Sequence, residues 1–242
     1  MTSGTLYLIP VPLGATPPTA VLPAPVIERI RPLVHFVVEN AKSARAFLKA
    51  VGTERPLQEL QLQELNEHTP VNALATLLAP LLAGHDVGLI SEAGCPAVAD
   101  PGADLVAMAQ REGVRVVPLV GPSSLLLGLM ASGLNGQRFA FLGYLPAKDP
   151  ERQHSLRELE TDSRKHCQTQ IFIETPYRNR QLLEAILRTC QTDTRLTLAT
   201  DLTLATESVL TRRIDEWKKT ELPDIDRKPT VFLLLAGSTG KK

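Results

Sequence analysis

The chain has 242 residues with 26 basic and 26 acidic side chains, so its formal net charge is zero. An apolar content of 43% excludes a disordered chain. The charge balance argues against wholesale coating of nucleic acid, although a local basic patch remains compatible with it. Since only 4% of the residues are aromatic, the core must be built from Leu, Val, Ile and Ala. This composition favours parallel sheets covered by helices, and therefore an α/β fold.

The cysteines and the apolar stretches indicate a cytoplasmic protein. Cys95, Cys167 and Cys190 are odd in number and lack metal-type spacing, so we expect reduced thiols and no metal site. The N-terminus has no early Lys or Arg, which is unlike a secretory signal. Gly, Pro and Ser interrupt the longest apolar stretch, from Leu119 to Leu134, so no membrane span is predicted.

Near-continuous apolar runs predict strands, and between them lie helical patterns. The predicted strands, in chain order, are Thr5–Ile9, Leu33–Val38, Val87–Ile90, Val114–Pro118, Phe139–Leu142, Gln170–Ile173, Leu196–Thr200 and Val231–Ala236. The predicted helices are Ala20–Arg31, Ser43–Val51, Val71–Ala83, Ala103–Arg111, Ser123–Ala131, Pro150–Asp162, Tyr177–Arg188 and Arg213–Lys218. A strand that ends near Pro118 suggests two α/β domains, residues 1–118 and 119–242, with a ligand cleft where they meet.

The segment from Leu89 to Gly102 is the most informative stretch of the chain. A buried-type strand leads into small residues and two prolines, and a helical pattern starts at Asp100-Pro101. Small residues allow the backbone to approach a ligand closely, and strand, loop and helix in this order form ligand sites at sheet edges. An ordinary connection between a strand and a helix is the alternative.

Five segments, spread in order over nearly the whole chain, carry recognisable motifs. They are Gly4–Gly14, Ser91–Gly102, Val116–Ser124, Ala131–Leu134 together with Phe139–Lys148, and Ile171–Arg178. Together they resemble the tetrapyrrole methylase family of S-adenosylmethionine-dependent methyltransferases, and they are most similar to the branch that methylates ribose in small-subunit ribosomal RNA.

The resemblance implies two α/β domains, S-adenosylmethionine in a cleft between them, and a homodimer. It implies that Ala93, Gly94 and Cys95 hold the methionine end of the cofactor. The other cofactor-binding positions that it implies are Leu13, Val98, Ser123, Ser124, Glu174 and Ala199. The alternative for Ser123 and Ser124 is a plain helix N-cap.

The substrate side departs from the family pattern. Where ribosomal relatives have Glu-Asp-Thr-Arg, this chain has Glu39-Asn40-Ala41-Lys42. An amide cannot act as a base, so Asn40 cannot take a proton from a substrate hydroxyl. Glu39 is then the candidate catalytic base, or else a residue that caps the helix expected at Ser43. The family's His-Asn-Glu signature is scrambled as Asn66-Glu67-His68, and the strongly basic extension is reduced to Lys241-Lys242.

Other charged residues have two interpretations. Tyr177 and Arg178 lie at a turn between a strand and a helix, where Arg178 could contact a substrate phosphate or simply begin a solvated helix. A basic cluster could face RNA or form the polar face of an amphipathic helix. Its members are Lys148, Arg152, Arg157, Arg164, Lys165 and His166.

Three functions follow as hypotheses. The first is an active methyltransferase, with RNA of the small ribosomal subunit as the leading acceptor. The second is a paralogue that binds S-adenosylmethionine but has lost or altered its catalysis, and the third is a tetrapyrrole C-methylase.

Overall fold

A computed structural model describes residues 3–66, 69–70 and 73–237. The chain divides into two compact units, with the division between Ser123 and Ser124. The predicted features at Glu67, His68, Lys241 and Lys242, and the start of the predicted helix Val71–Ala83, lie outside the described residues.

The first unit is a parallel sheet with helices between its strands. Its strands are β1 (Thr5–Ile9), β2 (His35–Val38), β3 (Gln61–Glu64), β4 (Val87–Ile90) and β5 (Arg115–Pro118). Its helices are α1 (Pro18–Val21), α2 (Ala24–Ile30), α3 (Ala41–Val51), α4 (Leu74–Leu82) and α5 (Gly102–Arg111). The strand order is β3-β2-β4-β1-β5, and every pair is parallel.

Two apolar clusters cover the faces of this sheet. One lies under α2 and α3 and includes Ile9, Ile30 and Leu48. The other lies under α4 and α5 and includes Leu81 and Leu105. Because helices cover both faces, all four residues of β4 are buried, as expected for a central parallel strand.

The second unit has a mixed sheet. Its strands are β6 (Phe139–Tyr144), β7 (Thr169–Ile173), β8 (Arg195–Thr200), β9 (Ser208–Arg213) and β10 (Thr230–Leu235). Its helices are α6 (Ser124–Ser132), α7 (Glu151–His166), α8 (Asn179–Thr189) and α9 (Ile214–Trp217). The order is β6-β7-β10-β8-β9, with β6 and β7 parallel and the other pairs antiparallel.

The core of the second unit lies under α7, α8 and α9. Trp217 is fully buried, and its indole N–H donates to the Leu196 carbonyl at 3.0 Å. Phe172 and Phe232 stack with ring centroids 5.8 Å apart. Each of these aromatic side chains buries a large apolar surface, in a chain that has few of them.

The elements differ from the sequence prediction in definite places. The helix predicted at Ala20–Arg31 is interrupted at Pro23, which forms the N-cap of α2, since proline cannot donate within a helix. The helix predicted at Pro150–Asp162 continues to His166. Strands β3 and β9 were not predicted, because both are edge strands with polar side chains. In the described part of the chain, no helix is long and apolar enough to cross a membrane.

Candidate active site

Three connections come together at the carboxyl edge of the first sheet, after β1, β4 and β5. Val11 and Gly94 form a two-way backbone bridge, with N···O distances of 2.9 and 3.2 Å. The Cys95 thiol donates to the Pro122 carbonyl at 3.4 Å. The predicted positions Leu13, Gly94 and Cys95 are therefore near one another, and Ser123 follows Pro122.

Gly94 permits this close approach. Its φ of +73° lies in the left-handed region, and a Cβ there would lie 3.2 Å from Leu13 Cδ2. Any other residue would be strained at this φ. Burial raises the pKa of the Cys95 thiol, so the thiol stays protonated and can donate to Pro122.

Asp100 organises the rest of this loop. Its Oδ1 atom accepts the N–H groups of Ala97 at 2.7 Å and Gly102 at 2.8 Å. Ala97 and Ala99 both have positive φ values, and Val98 between them is exposed. Burial raises the pKa of Asp100, and the two N–H groups lower it by less. The carboxylate therefore fixes a loop whose apolar tip, Val98, remains accessible.

Glu39 and Asn40 belong to a hydrogen-bonded group at the ends of β2 and β4. Asn40 is the N-cap of α3, and its Oδ1 atom accepts from Lys42 N at 2.9 Å and Ser43 N at 3.3 Å. The Glu39 carboxylate accepts the N–H of Glu92 at 3.1 Å. Asn40, and not Glu39, therefore caps α3. Of the two interpretations of Glu39, only the catalytic base is left as a prediction.

A pocket of about 330 Å³ lies beside this group, between α3 and the ends of β1 and β4. Its lining includes Pro12, Phe47, Ser91 and Glu92. Ser91 is 8% exposed, and among the described residues its Oγ atom has no hydrogen-bond partner. Neither Ser91 nor Phe47 is predicted from the sequence as a site residue. The position of Ser91 directly after a fully buried strand was the available signal.

In the second unit, Glu174 lies at the end of β7 and is buried. Its Oε1 atom accepts from Arg178 Nε at 3.0 Å and Nη2 at 2.7 Å, and also from Thr175 N at 2.7 Å. Its Oε2 atom is buried and has no hydrogen-bond partner among the described residues. Arg178 also lies over the Tyr177 ring, 5.1 Å from its centroid. Arg178 thus stands at the start of α8 as its N-cap residue and is ion-paired with Glu174, with 28% of its side chain exposed.

Ala199 and Glu174 belong to the same edge of the second sheet. Val231 on β10 pairs with Ile173 on one side and with Ala199 on the other. Ala199 is 1% exposed, and a Cβ on Gly128 of α6 would lie 3.3 Å from its methyl group. Glu174 thus offers a free buried oxygen, whereas Ala199 contributes packing beneath α6. Ser124 is the first residue of that helix, and Ser123 directly precedes it.

The predicted basic cluster does not form one surface. Arg152 is buried and bonds to Asp149 and to the Ala147 carbonyl. Arg164 pairs with both oxygens of Asp193. Because Arg152 and Arg164 are paired with acidic side chains, the six residues do not form one free basic surface. Within the described ranges, no group of three or more His, Cys, Asp or Glu side chains could hold a metal ion.

The chain resembles known proteins over most of its length. Residues 5–218 match the family model described as tetrapyrrole (corrin/porphyrin) methylases. Ribosomal RNA small subunit methyltransferase I of Escherichia coli O157:H7 is 31% identical over 237 residues, which cover 97% of this chain and 78% of that protein. The protein of the same name from Xylella fastidiosa is 34% identical over 210 residues, covering 86% and 72%.

A solved structure shares the fold. The crystal structure of the methyltransferase CobJ aligns with a TM-score of 0.64, covering 99% of this chain and 97% of that one. At 15% sequence identity, the likeness supports a common arrangement of strands and helices and says nothing about the acceptor.

Proposed function

This chain belongs to the tetrapyrrole (corrin/porphyrin) methylase family, and we propose that it is an S-adenosylmethionine-dependent methyltransferase acting on RNA of the small ribosomal subunit. The main support for this proposal is the 31% identity, over 97% of the chain, to ribosomal RNA small subunit methyltransferase I of Escherichia coli O157:H7. The loop sequences are most similar to those of the ribosomal branch of the family, and this similarity supports a ribose hydroxyl as the acceptor on the RNA. The proposed compartment is the cytoplasm.

The family resemblance supports an assignment of cofactor positions within each unit taken by itself. In the first unit, Gly94 allows the close approach of Leu13 and Pro122, and Ala93 and Val98 of the same loop are exposed. We assign the methionine end to Ala93, Gly94 and Cys95, with Leu13 bordering the cofactor and Val98 as an apolar neighbour. Ser123 and Ser124 are the proposed hydroxyl partners. When bound, S-adenosylmethionine supplies an electrophilic methyl group.

In the second unit, the resemblance assigns Glu174 and Ala199 to the adenosine, and the burial of Ala199 beneath α6 leaves Glu174 as the side chain that we assign to it. The buried Oε2 atom of Glu174 is an acceptor for a hydroxyl or amino group, and a buried acceptor without a partner is costly unless a ligand satisfies it. Arg178 and Thr175 hold the other oxygen and so fix the orientation of the carboxylate. We assign Tyr177 and Arg178 to the substrate side of this turn.

Glu39 is the proposed base. A ribose hydroxyl is a very weak acid, so methylation of its oxygen requires removal of the proton. The carboxylate of Glu39 contacts the N–H of Glu92, which lines the pocket of the first unit. Asn40 lies beside it and supports the site by capping α3.

We further propose a homodimer. On edge strand β6, Phe139, Leu142 and Tyr144 are 42–56% exposed. Exposed apolar side chains on an edge strand are typical of a surface that pairs with another chain. Sedimentation at several protein concentrations tests this proposal.

Calorimetric titration with S-adenosylmethionine tests the cofactor assignment. The proposal predicts one saturable site per chain. No detectable heat at millimolar cofactor would contradict it.

A second function has its own supporting observation. Asn40 stands where ribosomal relatives carry Asp, which is compatible with a paralogue that binds the cofactor without catalysis. The capping bonds of Asn40 favour the active enzyme, because an amide oxygen performs the same structural task as a carboxylate. A tetrapyrrole C-methylase is the least supported alternative, and an absorbance assay with a uroporphyrinogen-type substrate tests it.

A further inference from the structure

A tight turn in the loop before β10 lies against the segment that follows β7. The Lys228 N–H donates to the Ile225 carbonyl at 3.3 Å and closes this turn, and Arg227 within it has a left-handed φ of +58°. The Arg227 N–H donates to the Pro176 carbonyl at 3.2 Å. The turn of residues 225–228 is therefore joined to the chain near the carboxyl end of β7.

The side chain of Asn179 makes two further connections to the 225–228 turn. Asn179 is fully buried at the start of α8, and its Nδ2 atom donates to the Lys228 carbonyl at 2.8 Å and to the Ile225 carbonyl at 3.2 Å. Its Oδ1 atom is buried and has no hydrogen-bond partner among the described residues. A buried acceptor without a partner is unfavourable, so burial alone does not favour an amide at this position.

Neither of these carbonyl groups depends on Asn179 for a hydrogen bond. The Ile225 carbonyl also accepts the Lys228 N–H, and the Lys228 carbonyl also accepts from Thr230 Oγ1 at 3.1 Å. Loss of the Asn179 amide thus leaves neither carbonyl without a partner, which limits the cost to folding. The specific contribution of the amide is to fix the 225–228 turn against the first residue of α8.

Asn179 is also the neighbour of the residue that orients Glu174. Arg178 directly precedes it and donates to Glu174 Oε1 through Nε at 3.0 Å and Nη2 at 2.7 Å. The Asn179 N–H donates to the Pro176 carbonyl, which accepts from the 225–228 turn as well. The backbone on both sides of Arg178 is therefore tied to this turn. Because Arg178 occupies Oε1, Oε2 is the oxygen of Glu174 that is left for a ligand.

We propose that Asn179 is a positioning residue for cofactor binding, which acts through Arg178 and Glu174. The inference rests on the proposed function, in which Glu174 binds the adenosine. The Asn179 amide holds the 225–228 turn in place, and this contact keeps the Arg178 guanidinium on Oε1. The carboxylate then presents Oε2 in one orientation, and a preorganised acceptor binds its ligand more tightly than a mobile one.

A double-mutant cycle tests this relationship, with the affinity for S-adenosylmethionine measured by calorimetry. A glutamine whose oxygen faces Arg178 presents an NH₂ group in place of Oε2, so Glu174→Gln removes the acceptor. Asn179→Ala keeps the acceptor but releases its orientation. We expect each single variant to bind the cofactor roughly tenfold more weakly, the effect of one hydrogen bond. The double variant should lose no more than about twofold beyond Glu174→Gln alone.

Two further variants control for effects on folding, and thermal unfolding checks that every variant is folded. Asn179→Ser keeps one donor for the 225–228 turn, so it should fold even where Asn179→Ala does not, and we expect it to lose about threefold in affinity. Asn135→Ala is the matched control, because Asn135 Nδ2 donates to the Cys167 carbonyl at 2.6 Å near the other end of β7. It removes an amide that also holds a loop, and it should leave the cofactor affinity unchanged.

Unchanged cofactor affinity in both Asn179→Ala and Asn179→Ser would overturn the proposal. So would losses that multiply to about a hundredfold in the double variant, because Asn179 would then act independently of Glu174. If Glu174→Gln alone binds the cofactor normally, the adenosine assignment and this proposal fail together, while the proposed methyltransferase function stands. If the unaltered protein does not bind S-adenosylmethionine, the proposed function fails as well.

Discussion

The carboxylate of Glu39 accepts the backbone N–H of Glu92 across 3.1 Å and so ties the end of β2 to the loop that follows β4. Glu39 thus connects the end of β2 to the wall of the pocket, because Glu92 lines that pocket. Its carboxylate has two separable properties, since it accepts a hydrogen bond and it can take up a proton.

Glu39→Gln separates these properties. The amide oxygen can still accept from Glu92, but it cannot act as a base. We expect methyl transfer to fall by about 10²–10⁴-fold, while S-adenosylmethionine affinity stays within about twofold. Single-turnover methyl transfer and calorimetry measure the two quantities. A Glu39→Gln protein with normal turnover would show that Glu39 only positions the loop.

Asn40 is expected to act through helix α3. Asn40→Ala removes the acceptor for Lys42 N and Ser43 N and should lower the free energy of unfolding by about 1 kcal/mol. Asn40→Asp should be at least as stable as the unaltered protein, because a carboxylate caps equally well and complements the helix dipole. Urea denaturation measures both variants.

The same variant bears on catalysis. If the protein is already active, Asn40→Asp should change the rate of RNA methylation by less than about fivefold. An inactive protein that gains activity on this substitution would favour the paralogue.

Gly94→Ala should impair both stability and cofactor binding. A left-handed φ costs an alanine about 1 kcal/mol, and the new methyl group lies 3.2 Å from Leu13 Cδ2. Gly113→Ala is the control, since Gly113 has a φ of +68° with no atom within 4 Å of the added Cβ. Both variants should lose similar stability in denaturation, but calorimetry should show weakened S-adenosylmethionine binding for Gly94→Ala alone. Equal cofactor affinities would remove Gly94 from the cofactor site.

The Arg164–Asp193 pair predicts a pH dependence of stability. Arg164 lowers the pKa of Asp193 below its ordinary 3.8. The pair therefore stabilises the folded state above that value, and the contribution is lost as the pH falls through the lowered pKa. In urea denaturation at about pH 7 and about pH 3, Asp193→Asn should lose less stability on acidification than the unaltered protein. Arg164→Gln should behave alike, and unchanged acid sensitivity in both would contradict the assignment.

The sequence predicts those parts of the fold that burial determines. Strand β4 is apolar throughout because both its faces are covered, and its predicted bounds, Val87–Ile90, are confirmed. Strand β3 consists of Gln, Leu, Gln and Glu. This strand is stabilised by its pairing with β2 at the edge of the sheet. An edge strand of this kind needs no continuous apolar run, so the sequence does not predict it.

Pairing between side chains also cannot be predicted from the sequence. Arg152 is a basic residue in any charge pattern, yet it is buried and bonds to Asp149 and to the Ala147 carbonyl. The family resemblance leads to the loops around Gly94 and Glu174. The unpartnered Ser91 hydroxyl becomes apparent only when α3 and the end of β4 are placed together.

Transfer of a labelled methyl group from S-adenosylmethionine to RNA of small ribosomal subunits that lack this modification tests the central claim most directly. We expect protein-dependent label in the RNA, on a ribose oxygen, and loss of this label with the Glu39→Gln protein. An unaltered protein that binds the cofactor but transfers no label to this RNA would contradict the claim.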